Sequence, residues 1–176
     1  MRRLYCLVLI LILLLPACGT GEPPPDASEV LTAMLGALES TAQPLPDGVI
    51  RLTAASEDSP DCLTATFFSA LYGEAARELL ESEGDRGALV ASAALYLSMA
   101  PYPCELGVFY CADETTARSV AALCRGRLDT LARGFVGSEW ESFAEAGRVE
   151  VAGCYVLLAL CEDPRPPLEA ARSLCT

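Results

Sequence analysis

The hydrophobic and polar positions of the chain recur mostly with the period of an α-helix. In the first such segment, apolar residues occupy one face and polar residues the other. These apolar residues are Val30, Leu31, Met34, Leu35 and Leu38. Asp26 stands before the segment as an N-cap, and Glu29 follows three residues later as in a capping box. The pattern therefore predicts a first helix over about 27–42.

Two further helices are predicted before the middle of the chain. Ser59-Pro60 is typical of a helix start, and the apolar face that follows predicts a helix over about 59–83. The segment 86–99 is apolar or small nearly all round, as expected of the central helix of a bundle. Between the first two helices, 49–54 predicts either a short strand or an irregular crossing segment.

The second half predicts more helices with weaker patterns. Asp113 can cap a helix that runs through Cys124 to about residue 132. Ser138 opens a capping box for a short helix that ends near Gly147. The apolar stretch 149–161 has helical length, although its β-branched residues leave a strand open, and 168–175 predicts a terminal turn or two.

The first eighteen residues have the pattern of an export signal. Two arginines precede an unbroken apolar run over 4–15, and Leu-Pro-Ala at 15–17 leads directly to Cys18. The run is shorter than the roughly 20 residues that span a bilayer. It therefore predicts a signal peptide, residues 1–17, that is removed on export. The sequence Leu-x-Ala-Cys resembles the lipobox of bacterial lipoprotein precursors.

The resemblance implies a lipid anchor on Cys18. In that family the thiol is joined to diacylglycerol, the chain is cut before the cysteine, and the new amine is often acylated. Gly19 follows, whereas Asp at this place resembles the inner-membrane retention signal of enterobacterial lipoproteins. The resemblance thus implies an outer-membrane lipoprotein of the cell envelope that faces the periplasm or the cell surface. An ordinary signal peptide with an unmodified cysteine is the alternative.

The residues after the anchor predict a tether and then one domain. Pro23 to Pro25 are three consecutive prolines, which favour the semi-rigid polyproline II spacer. We assign 18–26 to the lipidated cysteine and its tether, and 27–176 to a single domain. A domain of this length buries enough surface to fold around its own core.

The charge balance excludes one class of partner. Removal of residues 1–17 leaves 10 arginines and 24 acidic residues, a net charge of −14. Such a chain repels phosphate backbones, so no nucleic-acid partner is expected. The chain contains no histidine, lysine or asparagine. It therefore lacks the commonest general base and the commonest nitrogen ligand of metals.

No catalytic motif compensates for the missing histidine. The sequence has no Cys-x-x-Cys pair, no glycine-rich phosphate loop and no Gly-x-Ser-x-Gly elbow. Acidic pairs such as Asp113-Glu114 and Glu162-Asp163 are expected to cap helices rather than bind Ca²⁺. Trp140, the single tryptophan, is expected to lie in the core, with an exposed anchor for a partner as the alternative. We therefore expect no cofactor, no metal and no enzyme.

Seven cysteines remain after the anchor, and an exported chain makes disulfides the default expectation. Two pairs have the same spacing of seven residues. On antiparallel helices this spacing allows crossed bridges, Cys104 to Cys161 and Cys111 to Cys154, and Cys124 with Cys175 would form a third bridge. Cys62 would then be the free thiol. Buried unpaired thiols, or a local Cys104 to Cys111 loop, are the alternatives.

Together these patterns predict an all-α fold, a disulfide-stapled bundle of about five to seven helices after a Pro-rich tether. The function expected is that of a non-enzymatic module, anchored in the membrane through Cys18, that binds another envelope protein or assists assembly. The alternative is a small-ligand or lipid carrier with helices 86–99 and 149–161 lining a cavity. A thiol-dependent enzyme is the third hypothesis.

Overall fold

Five strands form one antiparallel sheet, and helices cover both of its faces. The computed structural model describes residues 23–56, 58–81, 88–99 and 101–175. The strands are β1 (Gly48–Leu52), β2 (Val90–Ser98), β3 (Glu105–Cys111), β4 (Arg148–Ala152) and β5 (Tyr155–Leu160). Their order across the sheet is β1-β2-β3-β5-β4, so β3 lies at its centre.

Six helices accompany the sheet in the described residues. They are α1 (Ala27–Ser40), α2 (Ala65–Tyr72), α3 (Arg77–Leu80), α4 (Glu114–Gly134), α5 (Glu141–Ala146) and α6 (Arg165–Leu174). A 3-10 turn, Glu74–Ala76, leads from α2 into α3. Helices α1 and α6 pack together on one face of the sheet, and α2 and α4 cover the other.

The prediction of an all-α bundle is wrong. The segment 86–99, expected to be the central helix, contains strand β2, and 149–161 contains all but the first residue of the hairpin of β4 and β5. A strand covered by helices on both faces buries its side chains on both sides, so its sequence loses the alternation that identifies a half-exposed strand. Residues 93–96 of β2 and the whole of β5 are buried, and both had the apolar profile of a buried helix.

The helices with one solvent-exposed face follow their predicted pattern. Helix α1 occupies 27–40, and helix α4 extends to Gly134. Asp26 accepts a hydrogen bond from the Ser28 amide, and Asp113 accepts one from the Thr116 amide at 2.7 Å, so these two predicted caps are present, whereas Ser59 and Ser138 cap no described helix. The helix predicted over 59–83 begins only after Thr64 and breaks at Gly73, whose φ of +92° favours glycine.

Two hydrophobic clusters hold the layers together, one on each face of the sheet. Under α1 and α6 the largest fully buried side chains are Leu31, Met34, Leu38, Leu106 and Leu157. Under α2 and α4 they are Phe68, Phe109, Leu95, Leu158 and Leu160. Neighbouring residues of β3 and β5 therefore contribute to opposite clusters, as the period of two in a strand requires.

The prediction of disulfide staples is also wrong. All seven described cysteines, Cys62, Cys104, Cys111, Cys124, Cys154, Cys161 and Cys175, are free thiols. Four of them are buried in the two clusters, where a thiol packs as a small apolar side chain. The described domain is therefore held by its sheet and its cores and not by covalent bridges.

Candidate functional site

An open cleft of about 340 Å³ lies at the end of the sheet where β3 begins and β5 ends. We call this the cleft end. Its walls come from the ends of β2 and β5, from helices α2 and α4, and from the loop 101–103. Seven of its lining residues are aliphatic, proline or phenylalanine: Leu71, Leu97, Pro101, Pro103, Leu131, Phe135 and Leu160.

A buried acidic residue forms part of the cleft. Glu105, the first residue of β3, is only 3% exposed. Its Oε2 accepts hydrogen bonds from Nε and Nη2 of Arg127 at 3.2 and 3.1 Å. Its Oε1 accepts a hydrogen bond from the Tyr72 hydroxyl at 3.0 Å. Both oxygens of the carboxylate are thus satisfied, as a buried charge requires.

Three different elements supply this cluster. Tyr72 ends α2, Glu105 begins β3, and Arg127 lies in the third turn from the end of α4. Burial, and then the negative charge of Glu105, raise the pKa of the Tyr72 hydroxyl well above its usual value. The phenol therefore stays protonated and donates to the carboxylate at every ordinary pH.

The most exposed large apolar side chains of the described chain belong to two residues that directly follow cleft residues in the sequence, and we call these two residues the rim of the cleft. Met99, which follows the cleft residue Ser98, is 73% exposed, and Val136, which follows Phe135, is 68% exposed. Every other large apolar side chain that stands out from the described surface is at most 40% exposed. Exposed apolar surface next to a concavity is typical of a binding site.

Aromatic rings pack beside the cleft. Tyr102 lies edge-on to Trp140 at 5.0 Å and to Phe143 at 5.3 Å between ring centroids. Trp140 is half-buried against this cluster, which places it at the edge of a core. The hydroxyl of Tyr102 is buried and has no hydrogen-bond partner among the described residues. The hydroxyl of Ser98 donates to the main-chain carbonyl of Tyr102 at 2.6 Å, so the Ser98 hydroxyl is held by a backbone contact.

The structure brings together two of the predicted cysteine pairs. Glu105 pairs with Leu160, and one further step of this register places Cys104 opposite Cys161 at the cleft end. Seven residues along β3, the Cys111 amide donates to the Cys154 carbonyl at 2.9 Å. The two pairs therefore lie at opposite ends of the β3–β5 ladder, as thiols.

The other predicted cysteine positions do not come together. Cys124 lies in the cluster under α4, whereas Cys175 packs on the α1 side of the sheet, so the sheet separates them. Cys62 is half-buried in a loop that pairs with the end of β1. Burial raises the pKa of Cys104 and of Cys161 to about 12, which opposes formation of a thiolate.

The opposite end of the ladder, where Tyr110 pairs with Tyr155, receives the tether. The hydroxyl of Tyr155 donates to the Pro25 carbonyl at 2.6 Å. The next residue, Asp26, accepts from the Ser92 hydroxyl of β2 at 2.9 Å. We call this the tether end. Cys18 and the signal peptide lie outside the described residues.

Two further findings concern metals and membranes. Within the described ranges no group of three or more Cys, Asp or Glu residues is arranged to hold a metal ion. Asp163 instead accepts two hydrogen bonds from the Arg165 guanidinium. No helix of the described part combines the length and the hydrophobicity that crossing a bilayer requires.

Sequence reasoning missed the three residues of the buried cluster. Glu105 was visible as a single acid within an otherwise apolar segment, and a charge in such a place usually has a partner. Tyr72 and Arg127 could not be matched to it, since they are 33 and 22 residues away along the chain.

No protein-family model, no curated protein and no solved structure matches this chain.

Proposed function

We propose that the protein is a lipid-anchored module of the cell envelope that binds another envelope protein at its cleft end and catalyses no reaction. The observation that carries this proposal is the position of the cleft. The cleft, with its exposed apolar rim, lies at the opposite end of the β3–β5 ladder from the tether.

The tether supports this orientation. Pro25 is hydrogen-bonded to Tyr155 at the first residue of β5, and only six residues separate Pro25 from Cys18. Even fully extended, those residues reach about 25 Å. A lipid on Cys18 would therefore hold the tether end near the membrane and leave the cleft end pointing into the surrounding compartment.

The chemistry of the cleft favours binding over catalysis. Tyr72 and Arg127 occupy both oxygens of Glu105, and the Ser98 hydroxyl is engaged with backbone. The thiol hypothesis requires an exposed cysteine of lowered pKa. Burial instead raises the pKa of Cys104 to about 12. No group of the cleft is thus poised as a nucleophile or a base.

A carrier of lipids or small molecules has less support. The two segments expected to enclose its cavity contain the strands β2 and β5, which are separated by β3. At about 340 Å³ the cleft is near the lower limit of ligand pockets, which span roughly 300–1,000 Å³. It suits a side chain better than an acyl chain.

Site-specific photo-crosslinking in the native envelope tests the proposal. We would place p-benzoylphenylalanine at Met99, at Val136 and, as a control, at Val151 of β4, which is 40% exposed and remote from the cleft. We expect one and the same protein to be captured from Met99 and from Val136 and not from Val151. Equal capture from all three positions, or capture from none, would contradict the proposal.

The anchor is tested separately. The wild-type protein should incorporate a labelled fatty acid and sediment with membranes, whereas the Cys18→Ser variant should do neither, because the thiol that carries the lipid is gone. Membrane association of the variant equal to that of the wild type would contradict the lipid anchor without affecting the cleft.

A further inference from the structure

The charges that line the cleft cancel. Among the described residues that line the cleft, Glu105 and Arg127 are the only carboxylate and guanidinium, and they bond to each other. By contrast, the groove between β4 and α6 is lined by six charged side chains. A charged occupant of the cleft would lose water without gaining an opposite charge, which is costly in an apolar surrounding. The cleft therefore favours an uncharged occupant.

The hydrogen-bonding groups that the cleft can offer to a ligand are mainly donors. A guanidinium has five N–H donors. Arg127 uses its Nε and Nη2 atoms on Glu105, and its Nη1 bonds to none of the described residues. The oxygens of Glu105 are already occupied by Arg127 and Tyr72. The cleft can thus donate to a ligand through Arg127, whereas the other unpartnered N–H or O–H group among its described side chains, the Tyr102 hydroxyl, is buried.

The apolar walls and the volume of the cleft indicate which kind of side chain fits it. Leu71 from α2 and Leu131 from α4 face the cleft from one side of the sheet, and Leu97 comes from β2. At the rim, the exposed Met99 is flexible and adapts to irregular apolar shapes. A single large apolar side chain fills such a space, and the main chain next to that side chain supplies a carbonyl acceptor.

We propose that the cleft takes an uncharged apolar side chain, such as leucine, methionine or phenylalanine, from an extended segment of the partner, while Arg127 donates to a main-chain carbonyl of that segment. This inference rests on the proposed function, because it names the chemistry of the partner at the same cleft.

Trp140 supplies a reporter for the test. It is the only tryptophan of the chain, and it packs against Tyr102, which lines the cleft. The full chain in mild detergent would be titrated with three blocked tripeptides, acetyl-Gly-X-Gly-amide with X as leucine, aspartate or arginine. We expect a saturable change in tryptophan emission with the leucine peptide. Binding of the two charged peptides should be at least about tenfold weaker.

A conservative variant distinguishes two roles of Arg127, as a hydrogen-bond donor to the peptide and as the structural partner of Glu105. Arg127→Lys keeps a positive charge beside Glu105 but loses the planar set of donors. We expect it to weaken the leucine peptide about fivefold, the effect of one hydrogen bond. Arg125→Lys is the matched control, because Arg125 is exposed on the same helix outside the cleft, and it should change nothing.

The outcomes distinguish the inference from the proposed function. Charged peptides that bind as well as the leucine peptide, or no peptide response at all, would overturn the inference even if Met99 and Val136 crosslink to one protein. A selective response to the leucine peptide would support the inference. If the leucine peptide bound selectively but Met99 and Val136 captured no common protein, the proposed protein-binding function would be wrong and the inferred chemistry of the cleft would be supported.

Discussion

The two ends of the β3–β5 ladder carry the same pair of residues in opposite surroundings. At the cleft end, Cys104 lies opposite Cys161 beside an open cavity, and at the tether end Cys111 lies opposite Cys154, with the Cys111 side chain in the cluster under α2 and α4. At the tether end, the chain's own Pro25 is hydrogen-bonded to Tyr155, and the cavity of about 460 Å³ found there is lined in part by the tether itself. The cleft end keeps an open cavity and exposed apolar side chains. The cleft end is thus the end whose cavity adjoins the two most exposed large apolar side chains of the described residues, Met99 and Val136.

The ends also differ in how polar groups are stabilised. At the tether end, Asp26 caps helix α1 and accepts from Ser92 at the surface. At the cleft end, Glu105 is buried with Arg127, so its stability depends on that single cation. Removal of a partner should therefore cost more at the cleft end than at the tether end.

The largest effect is expected from Arg127→Met. This change leaves the Glu105 carboxylate buried with only the Tyr72 hydroxyl as a partner. We expect the free energy of unfolding to fall by about 3 kcal/mol, near the lower limit for a broken buried pair, because the Arg127 side chain is 21% exposed. Urea denaturation at neutral pH measures it.

The control for this experiment is Arg125→Met on the exposed face of the same helix, which should cost within about 0.5 kcal/mol. Addition of Glu105→Gln to Arg127→Met should restore part of the loss, since the uncompensated charge disappears. Equal effects of the Arg127 and Arg125 changes would show that the buried pair contributes nothing.

The second effect is a loss of stability at alkaline pH. The pKa values of Cys104, Cys161 and Cys111 are about 12 in the folded chain, chiefly because of burial, against an ordinary 9.0. Between these values the unfolded chain releases the protons and the folded chain keeps them. The stability that these thiols contribute is therefore complete below pH 9 and is lost as the pH rises towards 12.

Alanine variants show how much of this loss of stability comes from the thiols at each end of the β3–β5 ladder. Each titrating thiol contributes at most about 1.4 kcal/mol per pH unit to the slope. Under reducing conditions, Cys104→Ala with Cys161→Ala should reduce the slope between pH 9 and 12 by about twice as much as Cys111→Ala. Denaturation series at several pH values measure the slopes. An unchanged slope in the double variant would show that these thiols already ionise in the folded protein.

The sequence predicted some elements well because their chemistry is local. Helices α1 and α4 have one wet face and a capping aspartate, Asp26 or Asp113, and both signals lie within a few residues. Strands β2 and β5 gave no such signal, since helices on both faces make them apolar throughout. The fold class was therefore missed where burial is most complete.

The cysteine pairs show how the same residues can lie opposite each other in a fold other than the one predicted. Cys104 and Cys111 have the same spacing as Cys154 and Cys161, so any antiparallel arrangement that aligns one pair aligns the other. This holds for strands as well as for helices. In strands, however, a spacing of seven is odd and places the pairs on opposite faces of the sheet. The buried cluster around Glu105 had no comparable regularity and could not be predicted.

A third, smaller effect concerns the cap at the tether end. Asp26→Ala removes the acceptor of the Ser28 amide and of the Ser92 hydroxyl. We expect a loss of about 1–2 kcal/mol in the free energy of unfolding, the usual cost of an N-cap. Ser92→Ala removes the donor to Asp26 and the acceptor of the Ala27 amide but leaves the cap on the Ser28 amide in place, so it should cost less. If the Ser92 variant were the more costly of the two, the cap would not be the main role of Asp26.

The smallest effect is expected from Tyr155→Phe, which removes only the hydrogen bond to the Pro25 carbonyl. We expect a loss of about 1 kcal/mol or less in urea denaturation. Tyr110→Phe is the matched control, because the Tyr110 ring packs against the Tyr155 ring and removal of the Tyr110 hydroxyl should lower the free energy of unfolding only slightly. The ends of the ladder are about 20 Å apart, so combining Tyr155→Phe with Arg127→Met should give additive losses within about 0.5 kcal/mol. A larger coupling would mean that docking of the tether and the buried pair of the cleft are parts of one mechanism, and the comparison of two independent ends would fail.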